Sequence, residues 1–145
     1  MSANYKPSQA WLAAFLEISE GVPFQVRVSG QCMAPLVQDG ARVRVSGAAP
    51  YYWPGDVVVL PVGGRRLALH RVLGAYRRGG RWKVLTQGDL ATRPDMAVLS
   101  TQILGRVQSG DCSPLLIKVP FSHRLRAFAR FVQFVITRFM RNRNA

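Results

Sequence analysis

Acidic residues are scarce in this chain. Its 145 residues include 7 aspartates and glutamates against 20 lysines and arginines, which gives a formal net charge of +13. From Cys112 onward no acidic residue occurs. Such an excess attracts anionic lipid, nucleic acid or an acidic protein, but it carries no information about the fold. The charge therefore points to the kind of partner rather than to the architecture.

Cysteines and long apolar runs are also few. The two cysteines, Cys32 and Cys112, do not make a disulfide framework. The N-terminus lacks the basic start and apolar run of a secretory signal. No uninterrupted run approaches the about 20 apolar residues that a transmembrane helix needs. These absences predict a cytoplasmic protein, bound peripherally to the cytoplasmic face of a membrane.

The sequence has little that would hold a cofactor or read a nucleic acid. Its histidines and cysteines lack the paired short spacings of zinc sites, and no glycine-rich phosphate-binding motif is present. We therefore predict no metal and no cofactor. The basic residues occur without a helix-turn-helix, zinc-finger or RNA-binding signature, so nucleic acid ranks behind a membrane or protein partner.

Most of the chain shows the alternation of apolar and polar residues that is typical of half-buried strands. The candidate strands are 22–28, 41–46, 56–60, 66–73, 81–86, 101–107 and 114–119. Glycine- and proline-rich turns separate them. We predict one mainly β domain over residues 1–119, antiparallel or mixed, with a short N-terminal helix at about 8–20.

The segment 120–145 returns to helical periodicity. Its polar stripe consists of residues spaced three or four apart, namely Arg126, Arg130, Gln133, Thr137 and Arg141. An arginine at the bilayer centre costs about 2.5–3.5 kcal/mol, whereas an apolar residue returns only about 0.3–0.6 kcal/mol. The pattern therefore predicts a basic amphipathic helix on an anionic membrane surface. The alternative is a helix packed on the domain or on a membrane-protein complex.

We assign the membrane or partner contact to six residues of this helix. They are Arg126, Phe128, Arg130, Phe131, Phe139 and Arg141.

Three short blocks carry residue types that are useful for acyl transfer. In order they are SGQCMAP (29–35), LALHRVLG (67–74) and TQGDLATRPD (86–95). A thiol attacks a carbonyl well when a neighbouring base takes its proton, and an imidazole suits that task near neutral pH. A carboxylate on the far ring nitrogen orients the imidazole. Cys32, His70 and Asp95 form such a set if they converge in space.

These blocks resemble those of the signal peptidase clan, which includes the leader peptidases and the self-cleaving repressors of the DNA-damage response. CMAP resembles the nucleophile block with cysteine in place of serine, and PGDVVVL resembles the strand that follows it. LHRVLG is similar to the base block of the histidine-type members, and ILGRV to the closing strand. Seven positions after Gly88 stands Asp95, where those members place the aspartate that supports the histidine. Asp89 is the alternative partner, and the resemblance spans about residues 22–107.

The resemblance implies a signal-peptidase-like β fold and an endopeptidase that cleaves a peptide or leader sequence. Cys32 would attack, His70 would act as base and then as acid, and Asp95 would orient His70. Gly30, Met33 and Pro35 would shape the nucleophile turn, and the amide of Cys32 would donate to the oxyanion.

The residues depart from the clan's pattern in the nucleophilic cysteine and in Gly40-Ala41 where Gly-Asp is usual, and we expect neither a transmembrane anchor nor a DNA-binding domain.

Other interpretations stay open at this point. Cys32 also fits a small side chain that fills a turn, the remnant of an inactivated enzyme, or a cysteine introduced in place of serine. His70 alone fits a structural hydrogen bond, and Asp89 and Asp95 fit carboxylates that cap turns. The second functional hypothesis is therefore a catalytically inactive, signal-peptidase-like subunit that docks on a membrane or membrane-protein complex through its C-terminal helix.

Overall fold

The described part of the chain is one curled antiparallel sheet with an α-helix at its C-terminal end. The computed structural model describes residues 23–63, 66–95 and 97–145. The predicted helix at about 8–20 lies outside these residues. The prediction of a mainly β fold with a C-terminal helix is confirmed.

Seven strands form the sheet. They are β1 (Phe24–Arg27), β2 (Arg42–Val45), β3 (Val57–Gly63), β4 (Arg66–Arg78), β5 (Arg81–Gln87), β6 (Val98–Leu99) and β7 (Gly105–Gly110). Their order across the sheet is β1-β2-β7-β3-β4-β5-β6, and every neighbouring pair is antiparallel. The helix, α1, covers Phe121–Arg143. The long strand β4 lies between β3 and β5 and also carries the helix.

The alternating pattern places the core as expected on the first two strands. Val26, Val43 and Val45 are buried, while Arg42 and Arg44 are exposed. Strand β4 differs, because eight consecutive residues from Leu67 onward are buried. Both faces of β4 are therefore covered, and a polar side chain on this strand is held away from water.

The structure corrects two of the predicted strands. Residues 114–119 do not form a strand: Pro114–Leu116 is a 3₁₀ turn, which begins at a proline and is capped by Ser113, whose Oγ accepts from the Leu115 amide at 3.3 Å. The apolar run there resembles a strand only in composition. The strand predicted at 101–107 also differs, because Ser100–Gln102 form a 3₁₀ turn and the observed β7 runs from Gly105 to Gly110.

Helix α1 packs against β4 along one side. Ala127 is buried, and the ring of Phe131 lies so close to Gly74 that a Cβ added there would be 2.4 Å from it. Ala127 also joins a buried cluster with Leu73 and Leu85. Within the described residues, no helix has both the length and the apolarity needed to cross a membrane.

The side of α1 away from the sheet carries a row of exposed apolar residues, which we call the apolar stripe. It consists of Phe121, Leu125, Phe128, Val132, Val135, Ile136, Phe139 and Met140. From Val135 to the end of the chain every residue is exposed. The helix therefore combines packing on the domain with an uncovered apolar surface.

The contact between Gly74 and Phe131 leads to a stability prediction. Gly74→Ala should lower the free energy of unfolding by about 1–3 kcal/mol, because the new methyl group must displace the Phe131 ring. Urea denaturation measures the change. In a Phe131→Leu background the same substitution should cost clearly less, and equal losses in the two backgrounds would contradict this packing.

Candidate active site

His70 and Asp95 meet on one face of the sheet. The His70 side chain, on β4, is 11% exposed, and its Nδ1 lies 2.5 Å from Asp95 Oδ2. The buried Nδ1 has no aligned hydrogen bond with any described residue, although this carboxylate oxygen lies within hydrogen-bonding distance of it. A buried N–H without a hydrogen-bond acceptor costs free energy, so an Nδ1–H of His70 would be stabilised by turning toward the Asp95 carboxylate.

Strand β5 holds Asp95 in this position. The Asp95 amide donates to the Thr86 carbonyl at 2.8 Å, and Thr86 Oγ1 donates to Asp95 Oδ2 at 3.2 Å. Thr86 pairs with Val72 on β4, two residues beyond His70. Since side chains two apart on a strand share a face, Thr86, Asp95 and His70 lie on the same side of the sheet.

Asp89, the alternative partner of His70, is bound elsewhere. Arg71 Nε donates to Asp89 Oδ1 at 2.8 Å, and Arg71 Nη2 donates to Asp89 Oδ2 at 2.9 Å. Arg71 Nη1 also donates to the Gly55 carbonyl at 3.0 Å. Neighbouring side chains on a strand point to opposite faces, so Arg71 carries Asp89 away from the face of His70. The structure thus brings Asp95, and not Asp89, to the imidazole.

Residues 29–36 form the turn that carries Cys32, which we call the Cys32 turn. Gly30 has a φ of +92°, a conformation that suits glycine, and its amide donates to Asp39 Oδ1 at 2.8 Å. Met33 is 2% exposed and anchors the turn in the core. Two backbone hydrogen bonds close it, from Ala34 to the Gln31 carbonyl and from Leu36 to that of Met33.

The Cys32 turn rests on the end of β5. A Cβ added to Gly88 would lie 2.6 Å from the Cβ of Cys32, and the Leu90 amide donates to the Cys32 carbonyl at 2.9 Å. Gln87 pairs with Arg71 in the sheet, so the next residues along the two strands are Gly88 and His70. The turn and the histidine strand therefore approach each other at Gly88.

The structure does not join Cys32 to His70 directly. Among the described residues, Cys32 Sγ has no hydrogen bond with the imidazole, and the half-buried Cys32 borders a cavity of about 10 Å³ beside Gly30, Met33 and Leu69. The backbone amide of Cys32 donates to no acceptor in the described part of the chain. None of the described residues therefore competes with an oxyanion for that N–H.

Three residues at this site were quoted in the sequence motifs without a role. Arg71 fixes Asp89, Thr86 fixes Asp95, and Gly88 gives Cys32 room to approach. Thr86 and Gly88 stand in the block TQGDLATRPD, three and one positions before Asp89. The alternation of side chains along a strand predicts that Arg71 lies on the face opposite His70. The role of Gly88 depends on the distant Cys32 turn, so no pattern in the neighbouring sequence indicates it.

The second free thiol lies apart from these groups. Cys112 forms an isolated antiparallel bridge with Val37. Burial raises the pKa of the Cys112 thiol, and the neighbouring Asp111 carboxylate raises it further. Cys112 is therefore a poor nucleophile at neutral pH and an internal reference for Cys32.

The residues predicted to contact a membrane or partner divide into two groups. Phe131 packs on Gly74 inside the molecule, whereas the other five are exposed along the helix. Those five are Arg126, Phe128, Arg130, Phe139 and Arg141.

Within the described residues, no three histidine, cysteine or acidic side chains are grouped as metal ligands would be.

A scan of protein-family models finds no match to the chain, and a search of curated proteins finds none either.

Proposed function

We propose that this protein is a cysteine endopeptidase with a signal-peptidase-like fold, which cleaves a peptide or leader sequence at or near a membrane surface. The contact between His70 Nδ1 and Asp95 Oδ2 carries this proposal. A carboxylate in that place fixes the imidazole so that its other nitrogen, Nε2, is available as a base. The approach of the Cys32 turn at Gly88 supplies the nucleophile on the neighbouring segment.

The proposed reaction uses the protein's own groups. His70 Nε2 takes the Sγ proton, and the thiolate of Cys32 attacks the scissile carbonyl while the Cys32 amide binds the oxyanion. The imidazolium then protonates the leaving amine and leaves a thioester. A water molecule, deprotonated by His70, attacks that thioester and releases the acid and the free thiol. Catalytic hydrogen bonds are often long without substrate, so we expect Cys32 and His70 to close up on binding.

The helix supports a peripheral position on the cytoplasmic face of an anionic membrane. The apolar stripe is exposed in the structure, and arginines such as Arg126, Arg130 and Arg141 lie on another side of α1. Apolar side chains that enter the lipid boundary and cations near the headgroups are the two contributions that bind an interfacial helix.

A second candidate is a catalytically inactive subunit that docks on a membrane or membrane-protein complex. It is favoured by the same apolar stripe together with the missing hydrogen bond, among the described residues, between Cys32 Sγ and His70. An exposed apolar surface of this length is unusual for a protein without a partner. Docking through α1 would need no chemistry at Cys32.

Alkylation by iodoacetamide at neutral pH separates the two candidates. In a peptidase, Cys32 should react about tenfold faster than Cys112 or more, since an adjacent imidazole stabilises the thiolate whereas the pKa of Cys112 is raised by burial and by Asp111. His70→Ala should remove that advantage. Mass spectrometry of the two cysteine peptides gives both rates from one sample.

His123→Ala, which changes the other histidine, is the matched control and should leave both rates as they are. A Cys32 that reacts as slowly as Cys112 in the parent protein, with no response to His70→Ala, would remove the support for the peptidase and favour the docking subunit.

A further inference from the structure

A second cavity lies on the face of the sheet opposite His70, between α1, the middle of β4 and the end of β5. Its volume is about 230 Å³, and we call it the α1 cavity. It is lined by the charged side chains of Arg71, Asp89, Arg126 and Arg130 and by the imidazole of His123. Leu36 of the Cys32 turn also borders it, so its wall is shared with the candidate active site.

The charges around the α1 cavity are not balanced. Arg71 and Asp89 neutralise each other through their paired hydrogen bonds. Arg126 and Arg130 form no ion pair and no side-chain hydrogen bond with any described residue. The cavity therefore keeps two uncompensated guanidinium groups, with the imidazole of His123 beside them.

The positions of these three side chains on α1 bring the positive charges close together. Arg126 and Arg130 are four residues apart, so they are neighbours on one side of α1, and like charges at that spacing destabilise a helix. His123 lies three residues before Arg126, on the same side. An anion between these groups would relieve the repulsion.

We propose that the α1 cavity binds a phosphate group through Arg126, Arg130 and His123. Guanidinium groups match the oxygens of phosphate with paired N–H donors. Two guanidinium groups and an imidazole offer more N–H donors than a single carboxylate, with its two oxygens, can accept. A phosphate group has three or more oxygens and can accept from all three side chains. The phosphate comes either from a soluble phosphate compound or from a lipid headgroup, and the site does not depend on the proposed peptidase reaction.

The first measurement is the melting temperature in inorganic phosphate and in sodium chloride of equal ionic strength. At a phosphate concentration ten times the dissociation constant, we expect phosphate to raise Tm by about 4 °C. The double variant Arg126→Gln/Arg130→Gln should lose most of this rise. Arg138→Gln/Arg143→Gln is the matched control, because it removes two exposed arginines of the same helix that neither line the cavity nor belong to the proposed membrane contact.

Vesicle flotation distinguishes the two sources of phosphate. The vesicles contain phosphatidylcholine with either phosphatidic acid or phosphatidylserine, adjusted to equal surface charge. A preference for phosphatidic acid that Arg126→Gln/Arg130→Gln abolishes identifies a headgroup, and a Tm rise without that preference identifies a soluble compound. The proposal is overturned if phosphate gives no Tm rise and phosphatidic acid no preference, or if both double variants lose the effect equally.

Discussion

Asp56→Ala is expected to lower the free energy of unfolding by about 3 kcal/mol. The Asp56 side chain is 4% exposed, and its Oδ1 accepts from Arg124 Nη1 of α1 at 2.8 Å. Its Oδ2 accepts from Arg106 Nη1 of β7 at 3.3 Å and from the Trp53 amide at 2.9 Å. One carboxylate therefore joins the helix, a central strand and the loop before β3.

Removing that carboxylate leaves three donors without their acceptor. The side chains of Arg106 and Arg124 are 41% and 36% exposed, so both regain some contact with water. For this reason we place the loss at the lower end of the range known for broken buried ion pairs, about 3–5 kcal/mol. The part-buried hydrogen bond from the Trp53 amide and the docking of α1 account for most of the loss.

Urea denaturation followed by circular dichroism measures the loss. Asp56→Asn keeps an acceptor for the Trp53 amide and should cost less than Asp56→Ala. Asp111→Ala, at an exposed aspartate with one long hydrogen bond to the Arg42 amide, serves as the control and should change stability by less than about 1 kcal/mol. A loss at Asp56 no larger than the loss at Asp111 would show that this carboxylate does not hold the helix.

Ile136→Ser/Phe139→Ser should weaken binding to anionic vesicles by about 10²–10⁴-fold, if α1 lies in a membrane surface as proposed. Full burial of an isoleucine or phenylalanine side chain contributes about 1.5–3 kcal/mol, and two such side chains contribute about twice that. Both residues lie in the part of α1 where every residue is exposed, so the fold should not change. Flotation with phosphatidylcholine vesicles that contain phosphatidylserine measures the binding.

The matched control is Gln133→Ser/Thr137→Ser, two exposed positions on the polar side of the same helix. It should leave vesicle binding nearly unchanged. This pair of variants is more informative than removal of residues 121–145, because that deletion would also uncover Leu73 and Leu85, which pack against Ala127. Equal vesicle binding by parent and Ile136→Ser/Phe139→Ser would exclude the apolar stripe as the membrane contact.

Local periodicity predicted the elements whose pattern is set by their own residues. The alternation at β1 and β2 and the helical spacing from Phe121 onward correspond to the observed elements. At 114–119 the apolar residues predict a strand, whereas Pro114 and the cap from Ser113 favour the 3₁₀ turn that is observed. Apolar content does not distinguish these structures when a segment is this short.

The candidate site could be predicted only in part, for a reason that lies in the sheet. The sequence left Asp89 and Asp95 open as partners of His70. Their separation depends on the pairing register of β4 and β5 and on Arg71, which draws Asp89 to the opposite face. Phe131 likewise packs on the sheet, and not in the exposed apolar stripe, because Gly74 has no side chain in the space that its ring occupies. Such choices are made by contacts between distant segments, which a local pattern does not record.

The attachment of α1 to β4 has a geometrical consequence for the proposed membrane-bound enzyme. The Phe131 ring on Gly74 holds the helix against the strand that also carries His70, and the Asp56–Arg124 contact holds it to the loop before β3. If the apolar stripe lies in the lipid boundary, the sheet has a fixed height above the bilayer and a fixed tilt relative to it. Cys32 is then also held at a fixed height above the bilayer. The enzyme would then select substrates by the distance of the scissile peptide bond from the bilayer, in addition to the side chains next to that bond.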